Sequence, residues 1–505
     1  MAYQTILQVS VVLFAVALIV LNFLSKSPLR HYFIDTPDSR KIHQIQIPRI
    51  GGFGMIFSFF IVVIPLIILK KEIGLYYIQT NFGLAVLTGI IIVFIVGFFD
   101  DLASVTIGTK TKFAAQFLFA LITVYYFKIY VADIRFFGSI IHLGFIGPLL
   151  SVFWIVGVMN AFNIIDGIDG LSTSVTLVTL IFVSLIVFII GEDYRIFNMT
   201  FPLIALLLAF LVLNYPPAKI FAGDTGSLFY GVIASLLSVK LASHSRDFGT
   251  ESLVAFFVVA IPVMEVFVSM LRRFYYGVNE NKNFVDSLKR MVEPDNLHMH
   301  HRLIFKGYTH EQALRFLLFF AVSVASLSLV LVMTSNLILQ LLTVLYGLYF
   351  VYRVFRKLDY AKAIFTSVEN NNIQVRKTVL LCSKSENFIN ALTHYANGSS
   401  YFIKSCDTIE TTSLGIADTV IIDSSSALAE YKKIDSNLQI PIFIVVHGHE
   451  NEPVFAKVRE DNRIYILQEP VDVPYLFHDI ELILKSSIGT PPQNTLSISG
   501  EENVA

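Results

Sequence analysis

Charge, cysteine and tryptophan are scarce in this chain. Asp, Glu, Lys and Arg make up only 15% of 505 residues, where ordinary soluble domains carry roughly 25%. That shortage excludes a plain soluble enzyme, and with it a disordered or collagen-like chain. The 37 cations nearly balance the 38 acids, for a net charge of −1, so no bulk basic excess grips nucleic acid. Cys382 and Cys406 are the two cysteines, too few for a disulfide scaffold or a Cys-rich metal centre. What is abundant is apolar: 55% of residues are hydrophobic and the mean hydropathy is +0.68.

The charge that exists is unevenly spread. Residues 1–353 are long apolar runs split by short polar loops, whereas charges scatter through short β-branched runs after about 365. A helix needs ~20 mainly apolar residues to cross the bilayer core. Eleven stretches qualify, near 3–24, 52–69, 82–99, 113–131, 140–157, 171–190, 200–214, 227–242, 252–271, 313–334 and 336–353. The first has no basic leader and no small-residue cleavage site, so it is expected to be a retained span. The loop after the first span carries Lys26, Arg30, Arg40, Lys41 and Arg49, and the loop after the ninth carries Arg272, Arg273, Lys282, Lys289, Arg290, Arg302 and Lys306. The alternate loops hold few cations. The positive-inside rule then predicts an N-terminus outside, a C-terminus in the cytoplasm, and the basic loops inside.

On that assignment every loop with unusual polar chemistry falls on the cytoplasmic side. One is Asp35-Thr36-Pro37-Asp38-Ser39-Arg40-Lys41-Ile42-His43, running on to Pro48-Arg49-Ile50-Gly51-Gly52. The others are Asp100-Asp101 followed by Lys110 and Lys112; Asn160-Ala161-Phe162-Asn163-Ile164-Ile165-Asp166-Gly167-Ile168-Asp169-Gly170; Gly223-Asp224-Thr225-Gly226-Ser227; and His298-Met299-His300-His301-Arg302. Taken singly, an Asp-Asp pair reads as a solvated helix end and Gly-Asp-Thr-Gly-Ser as a turn. Together they put five acids and a histidine cluster at one membrane boundary, which is costly unless they are paired, hydrated or bound to a cation. Asp166 and Asp169 are three apart and would share a helical face. Asp100 and Asp101 are adjacent and cannot point the same way, so one is expected to face a ligand while its neighbour takes a second role. Hard oxygen donors suit Mg²⁺, or Mn²⁺, over zinc, and Mg²⁺ usually takes one or two carboxylates plus substrate phosphates. Lys110, Lys112 and Arg302 suit a phosphate-rich substrate.

These residues, in this order over roughly 30–305, resemble the polyprenyl-phosphate N-acetylhexosamine-1-phosphate transferase superfamily (glycosyltransferase family 4). The Asp35 to Gly52 stretch and His298-x-His300-His301 resemble its bacterial GlcNAc-type branch more than its pentapeptide branch. Two features depart from the family: Pro262-Val263-Met264-Glu265 stands where Pro-Val-x-Asp is common, and the segment 278–293 is longer than usual. The resemblance implies transfer of a sugar-1-phosphate, GlcNAc-1-phosphate by default, from a UDP-amino-sugar to undecaprenyl phosphate at the bacterial inner membrane, with release of UMP. It implies Mg²⁺ held by Asn163 and Asp224, and catalysis by Asp100, Asp101 and Asp224. Substrate binding falls to Lys110, Lys112, Asn160, Asp166, Asp169, His298, His300, His301 and Arg302. Which sugar is moved, which glycan is built and whether a homodimer forms are left open.

Residues 376–486 read as alternating strands and helices, with strands near 378–382, 401–404, 419–423, 442–446 and 464–467, which suggests a doubly wound α/β domain. It looks like a response-regulator receiver with Asp423 at the phosphoacceptor position and Pro470 after the fifth strand. Ser383-Lys384-Ser385 replaces the acids that hold Mg²⁺ in receivers, Val446 the usual Thr/Ser, and Glu469 the usual Lys. The expectation is a pseudo-receiver that contacts a protein partner. The whole is thus expected to be a polytopic α-helical membrane protein of about 11 spans over 1–353, a linker 354–375, the cytoplasmic α/β domain, and a disordered tail 487–505. An ion-coupled transporter would place acids at mid-membrane on broken helices; a membrane sensor would leave the five polar loops without a role.

Overall fold

A computed structural model describes residues 2–33, 47–102, 107–191, 196–243, 250–279, 283–291, 298–306, 308–358 and five strands beyond them. The chain forms two compact units, of which the larger ends at residue 368. The predicted motif residues 35–43 and the predicted tail 487–505 lie outside the described residues.

The larger unit is helical: α1 (Ala2–Lys26), α2 (Gly51–Ile68), α3 (Glu72–Gln79), α4 (Asn81–Asp101), α5 (Thr109–Leu121), α6 (Ile146–Ile164), α7 (Leu171–Ile190), α8 (Phe197–Asn214), α9 (Gly223–Ala242), α10 (Glu251–Val258), α11 (Ala260–Asn279), α12 (Phe284–Arg290), α13 (Met299–Phe305), α14 (His310–Met333) and α15 (Leu337–Lys357). A short antiparallel hairpin, β1 (Asp133–Phe136) with β2 (Ser139–His142), precedes α6. Among the described residues nine helices are long and apolar enough to cross a membrane, and ten if the bent pair α10–α11 counts as one span. The architecture is that of a polytopic membrane protein, and exposed residues such as Ile19, Phe23, Phe188 and Leu348 give it a lipid-facing surface.

Of the eleven expected spans, the one near 140–157 begins in strand β2 of the hairpin and is shifted to Ile146–Ile164, and two others differ in kind. The stretch 113–131 begins as the 13-residue α5 and passes at Ile122–Tyr126 into a π-helical segment. The α-helical part alone is ~20 Å long at 1.5 Å per residue, short of the ~30 Å core. The stretch 252–271 is broken between α10 and α11 by an 81° bend. Hydropathy averages composition over a window and is blind to backbone direction, and isolated polar residues such as Gln116 and Glu265 leave both stretches apolar on average. The last span also runs past the expected boundary at 353, through Lys357.

At the centre lies α9, packed on α2, α4, α6, α7 and α10, with 94% of its spanning stretch buried against 22% for α15. Its small residues permit this. Gly226, Ser227, Gly231, Ala234, Ser235 and Ser238 let neighbouring backbones approach closely, as small residues do between membrane helices. Capping fixes several helix starts: Thr80 accepts from Gly83 N at the head of α4 (2.9 Å), Thr309 and Gln312 form a capping box on α14, and Asn336 caps α15.

The smaller unit holds a five-stranded parallel sheet of β3 (Lys377–Cys382), β4 (Tyr401–Cys406), β5 (Thr419–Asp423), β6 (Ile442–Val446) and β7 (Ile464–Gln468), in the order β4-β3-β5-β6-β7. Asp423 is the last residue of the central strand. Parallel neighbours require long crossovers; those segments, with Ser383, Glu469 and Pro470, lie outside the described residues.

Candidate active site

Two backbone junctions bring the polar loops together. The chain before α2 runs beside the chain before α9: Phe221 N donates to Pro48 O, Gly51 N to Phe221 O and Gly52 N to Ala222 O, each at 2.9 Å. A methyl on Gly52 would collide with the backbone of Gly226 and lie 2.6 Å from Ala222 O, so only glycine allows this crossing. On the other side of α9, a methyl on Gly97 of α4 would lie 2.5 Å from Thr225 Cα. The start of α9 is therefore wedged between α2 and α4.

The adjacent acids at the end of α4 diverge. Asp101 is buried and spends its carboxylate on the first turn of α9. Oδ1 accepts from Asp224 N (2.7 Å), and Oδ2 accepts from Thr225 N (2.9 Å) and Thr225 Oγ1 (2.6 Å). This is an N-terminal cap supplied by another helix. Asp100 turns the other way. Its Oδ2 accepts from Lys112 Nζ at 2.6 Å, and its Oδ1 accepts from Ile107 N at 3.3 Å. The same Lys112 ammonium is ion-paired with Asp224 Oδ2. One cation on the first turn of α5 thus joins carboxylates from the ends of α4 and α9. Asn163, at the C-terminal end of α6, reaches the group through Ser227, which donates to Asn163 Oδ1 at 2.9 Å and to the Asp224 carbonyl at 3.4 Å.

The loop between α6 and α7 supplies the next layer. Asp166 accepts from Ser172 Oγ. Burial pushes its carboxyl up to about 6; the charge of Asp224 adds to the rise, while the Ser172 hydrogen bond and the Arg49 guanidinium oppose it. Asp169 points elsewhere: its Oδ2 accepts from Ala218 N at 2.9 Å and so holds the turn before α9. Asn160 is partly buried one turn before Asn163, and Lys110 is exposed.

The histidines arrive on α13. His298 Nδ1 lies 3.0 Å from Glu265 Oε1, and Met299 N donates to the same oxygen at 3.0 Å. His300 is buried with its ring packed on Gly167, beside Asp166. Burial, and then the neighbouring rings of His301, His298 and His310, hold it well below the ordinary histidine range, so it is neutral. Its Nε2 makes no hydrogen bond within the described residues. The ring of His301 is 4.2 Å from that of His300, centroid to centroid. Arg302 does not follow the expectation of a phosphate ligand: its guanidinium is buried and Nη1 donates to Leu358 O at 3.3 Å, at the end of α15. A helix turn puts Arg302 and His300 on different faces, which a linear motif does not reveal.

The structure thus gathers Asp100, Asp101, Lys112, Asn163, Asp166, Asp224 and His300 around the heads of α9 and α7. Asp169 and Arg302 bind backbone groups elsewhere, and Lys110 is exposed. Reading the sequence for chemistry passed over Ser172, Thr225 and Ser227, which hold the acids, and Glu265, which seats His298. Glu265 stood out only as a departure from the family pattern, and Arg49 only as one basic residue of a polar loop.

Among the described residues no three His, Cys, Asp or Glu side chains converge as a metal cage. Two carboxylates, of Asp100 and Asp224, meet at Lys112, and the Asn163 amide oxygen is linked to the Asp224 backbone through Ser227; all are hard donors. That set fits Mg²⁺ completed by phosphate oxygens of a substrate, and does not fit a closed structural site. The acids lie at helix ends, Asp100 next to last in α4 and Asp224 second in α9, so the mid-membrane acidic site of a transporter is not what these residues form.

Residues 83–242, from α4 to α9, match the glycosyl transferase family 4 description. The chain is 28% identical over 281 residues to a probable undecaprenyl-phosphate N-acetylglucosaminyl 1-phosphate transferase of Bacillus subtilis (strain 168), covering 55% of this chain and 72% of that protein. It is 28% identical over 290 residues to the undecaprenyl-phosphate alpha-N-acetylglucosaminyl 1-phosphate transferase of Escherichia coli (strain K12), covering 55% and 71%. Over 284 residues it is 28% identical to the phospho-N-acetylmuramoyl-pentapeptide-transferase of Wolbachia sp. subsp. Drosophila simulans (strain wRi), covering 54% and 80%.

Proposed function

Because the chain belongs to the polyprenyl-phosphate N-acetylhexosamine-1-phosphate transferase superfamily, we propose that it transfers GlcNAc-1-phosphate from UDP-GlcNAc to undecaprenyl phosphate. An oxygen of the lipid phosphate attacks the sugar-bearing phosphorus. The bond from that phosphorus to the bridging oxygen breaks, UMP leaves, and a lipid-linked pyrophosphoryl sugar remains to start a cell-envelope polysaccharide.

The observation that carries this reading is the single ammonium of Lys112 between Asp100 and Asp224, at the ends of two apolar helices. Phosphoryl transfer is mostly positioning and charge neutralisation. Lys112 supplies a cation where two phosphorylated reactants would meet, and the carboxylates on either side hold it in place. A phosphomonoester's second pKa is ≈ 6, so the attacking phosphate is largely a dianion at neutral pH. Asp100 therefore serves to orient Lys112 and the acceptor more than to remove a proton. Asn163 and Asp224 would hold Mg²⁺, which when bound neutralises the diphosphate. Asp101 fixes Asp224 by capping α9. Neutral His300, beside Gly167, offers a ring nitrogen to the nucleotide-sugar without adding charge. The site is proposed to face the cytoplasm at the inner membrane, where a soluble nucleotide-sugar and an interfacial lipid phosphate meet. The α/β domain is proposed to be a pseudo-receiver for protein contacts, on the missing acids at 383–385; phosphate uptake at Asp423 from a small phosphodonor would overturn that.

The test is purified protein in detergent with undecaprenyl phosphate, UDP-GlcNAc and Mg²⁺. UMP release that stops on chelation supports the reading. No UMP from UDP-GlcNAc, UDP-GalNAc, UDP-QuiNAc or UDP-FucNAc would end it, and release from only one of the last three would reassign the sugar.

A further inference from the structure

Between α14 and α15 lies a cavity of about 620 Å³ lined by Phe316, Phe319, Phe320, Phe350 and Val354, with Arg353, Arg356 and Lys357 also in its lining. It belongs to neither the acidic group nor the histidine cluster. Phe350, Arg353, Val354 and Lys357 are spaced i, i+3, i+4, i+7 and so share one face of α15, opposite Phe316, Phe319 and Phe320 of α14. The lining grades along the helix axis from aromatic to cationic over ~10 Å, at 1.5 Å per residue. The two ends match the two ends of a lipid.

The charge is of one sign. None of the lining residues is acidic, and α15 as a whole carries no Asp or Glu. The Lys357 ammonium lies 5.1 Å from the Phe316 ring centroid. Arg353 donates to Tyr349 Oη at 2.9 Å, a neutral partner. Three cations collected at the end of a membrane helix repel one another unless an anion shares them. The end of α15 is also fixed in place: Arg302 Nη1 of α13 donates to Leu358 O at 3.3 Å, and Lys306 Nζ, just after α13, donates to Lys357 O at 2.6 Å. A rim held by other elements loses less freedom on binding.

We propose that this crevice binds an anionic phospholipid, with the phosphate on Arg353, Arg356 and Lys357 and an acyl chain along the phenylalanines. Basic pockets between membrane helices take anionic headgroups, with an electrostatic gain of roughly fivefold in affinity per cation near the surface. Three cations then predict a preference on the order of a hundredfold over a zwitterionic headgroup.

The experiment is native mass spectrometry of the delipidated full-length protein titrated with phosphatidylglycerol or phosphatidylcholine. One phosphatidylglycerol is expected to be retained at activation energies that strip phosphatidylcholine. The triple variant R353Q/R356Q/K357Q is expected to lose that preference by one to two orders of magnitude, and R356Q alone by a few-fold. K70Q/K71Q, which removes a basic pair elsewhere, is expected to leave it unchanged. Retention that is equal for the two lipids, or equally reduced by K70Q/K71Q, would overturn the proposal. So would one-for-one displacement of phosphatidylglycerol by equimolar undecaprenyl phosphate, which would assign the crevice to the polyprenyl lipid instead.

Discussion

Asp100 and Asp101 are chemically identical neighbours, and substituting each by Asn is expected to give opposite phenotypes. In Asp101→Asn, the amide oxygen keeps the two Thr225 contacts if it takes the place of Oδ2. The NH₂ then faces Asp224 N, where Oδ1 accepts at 2.7 Å. One charge-assisted hydrogen bond is lost, ~1.5–3 kcal/mol, and two N–H groups oppose each other. Loss of the negative charge at the head of α9 removes a further ~0.3–1 kcal/mol. The total is ~2–4 kcal/mol, carried by the helix that presents Asp224. In Asp100→Asn, the losses are one ion pair with Lys112 and a long contact to Ile107 N, at a group 12% exposed. Lys112 keeps Asp224 and the Asn amide oxygen can still accept from it, so the stability cost is expected to be no more than about 1 kcal/mol, while transfer loses the group that orients Lys112 and the acceptor. Thermal unfolding in detergent, followed by the fluorescence of Trp154, and UMP release separate the two. Asp101→Asn should unfold several degrees lower, whereas Asp100→Asn should unfold as the wild type does and turn over at least ~100-fold more slowly. An Asp101→Asn protein as stable as the wild type, or an Asp100→Asn protein with near-full turnover, would refute the division of labour.

Other outcomes follow from the same contacts. Gly52→Ala should cost ~1–3 kcal/mol or more by overpacking against rigid backbone and should lower UMP release, whereas Gly157→Ala, with nothing within 4 Å of the added methyl, should be neutral or slightly stabilising in the same melt. Asp224→Ala should abolish UMP release while the protein stays inserted, read by membrane fractionation. The Asp166 carboxyl is raised to about 6, so its protonated form is favoured by the fold. Relative to Asp166→Asn, the wild type should therefore gain stability as pH falls from 7 through 6 toward the ordinary carboxylate pKa near 4; a gain on going alkaline would have the wrong sign. Glu265→Gln keeps one acceptor for Met299 N and should weaken the seat of His298, raising KM for the nucleotide-sugar by ~10-fold with a smaller change in kcat.

Much of the arrangement could be read from the residues alone. The positions of most spans, the five strands and the divergence of Asp100 and Asp101 follow from apolar length, β-branched runs and simple geometry. The bend at Val259 could not be read, because a window average passes over the isolated Glu265 and Pro262 lies three residues beyond the bend. The destinations of Asp169 and Arg302 were hidden for another reason. Acidic and basic side chains beside a reactive loop look alike in a motif, whether they face a substrate or tie down a turn; only the partners, Ala218 N and Leu358 O, tell them apart. The Gly52–Gly226 crossing is a third kind, since the sequence shows glycines but not which backbone each one admits.

Because α9 is sheathed by protein along nearly its whole length, acyl chains scarcely touch the helix that carries Asp224. Changes in bilayer thickness or fluidity would be absorbed by peripheral helices such as α1 and α15. The reactive end is thereby insulated from the solvent that surrounds the rest of the molecule, and the same fold should keep its geometry across membranes of differing composition.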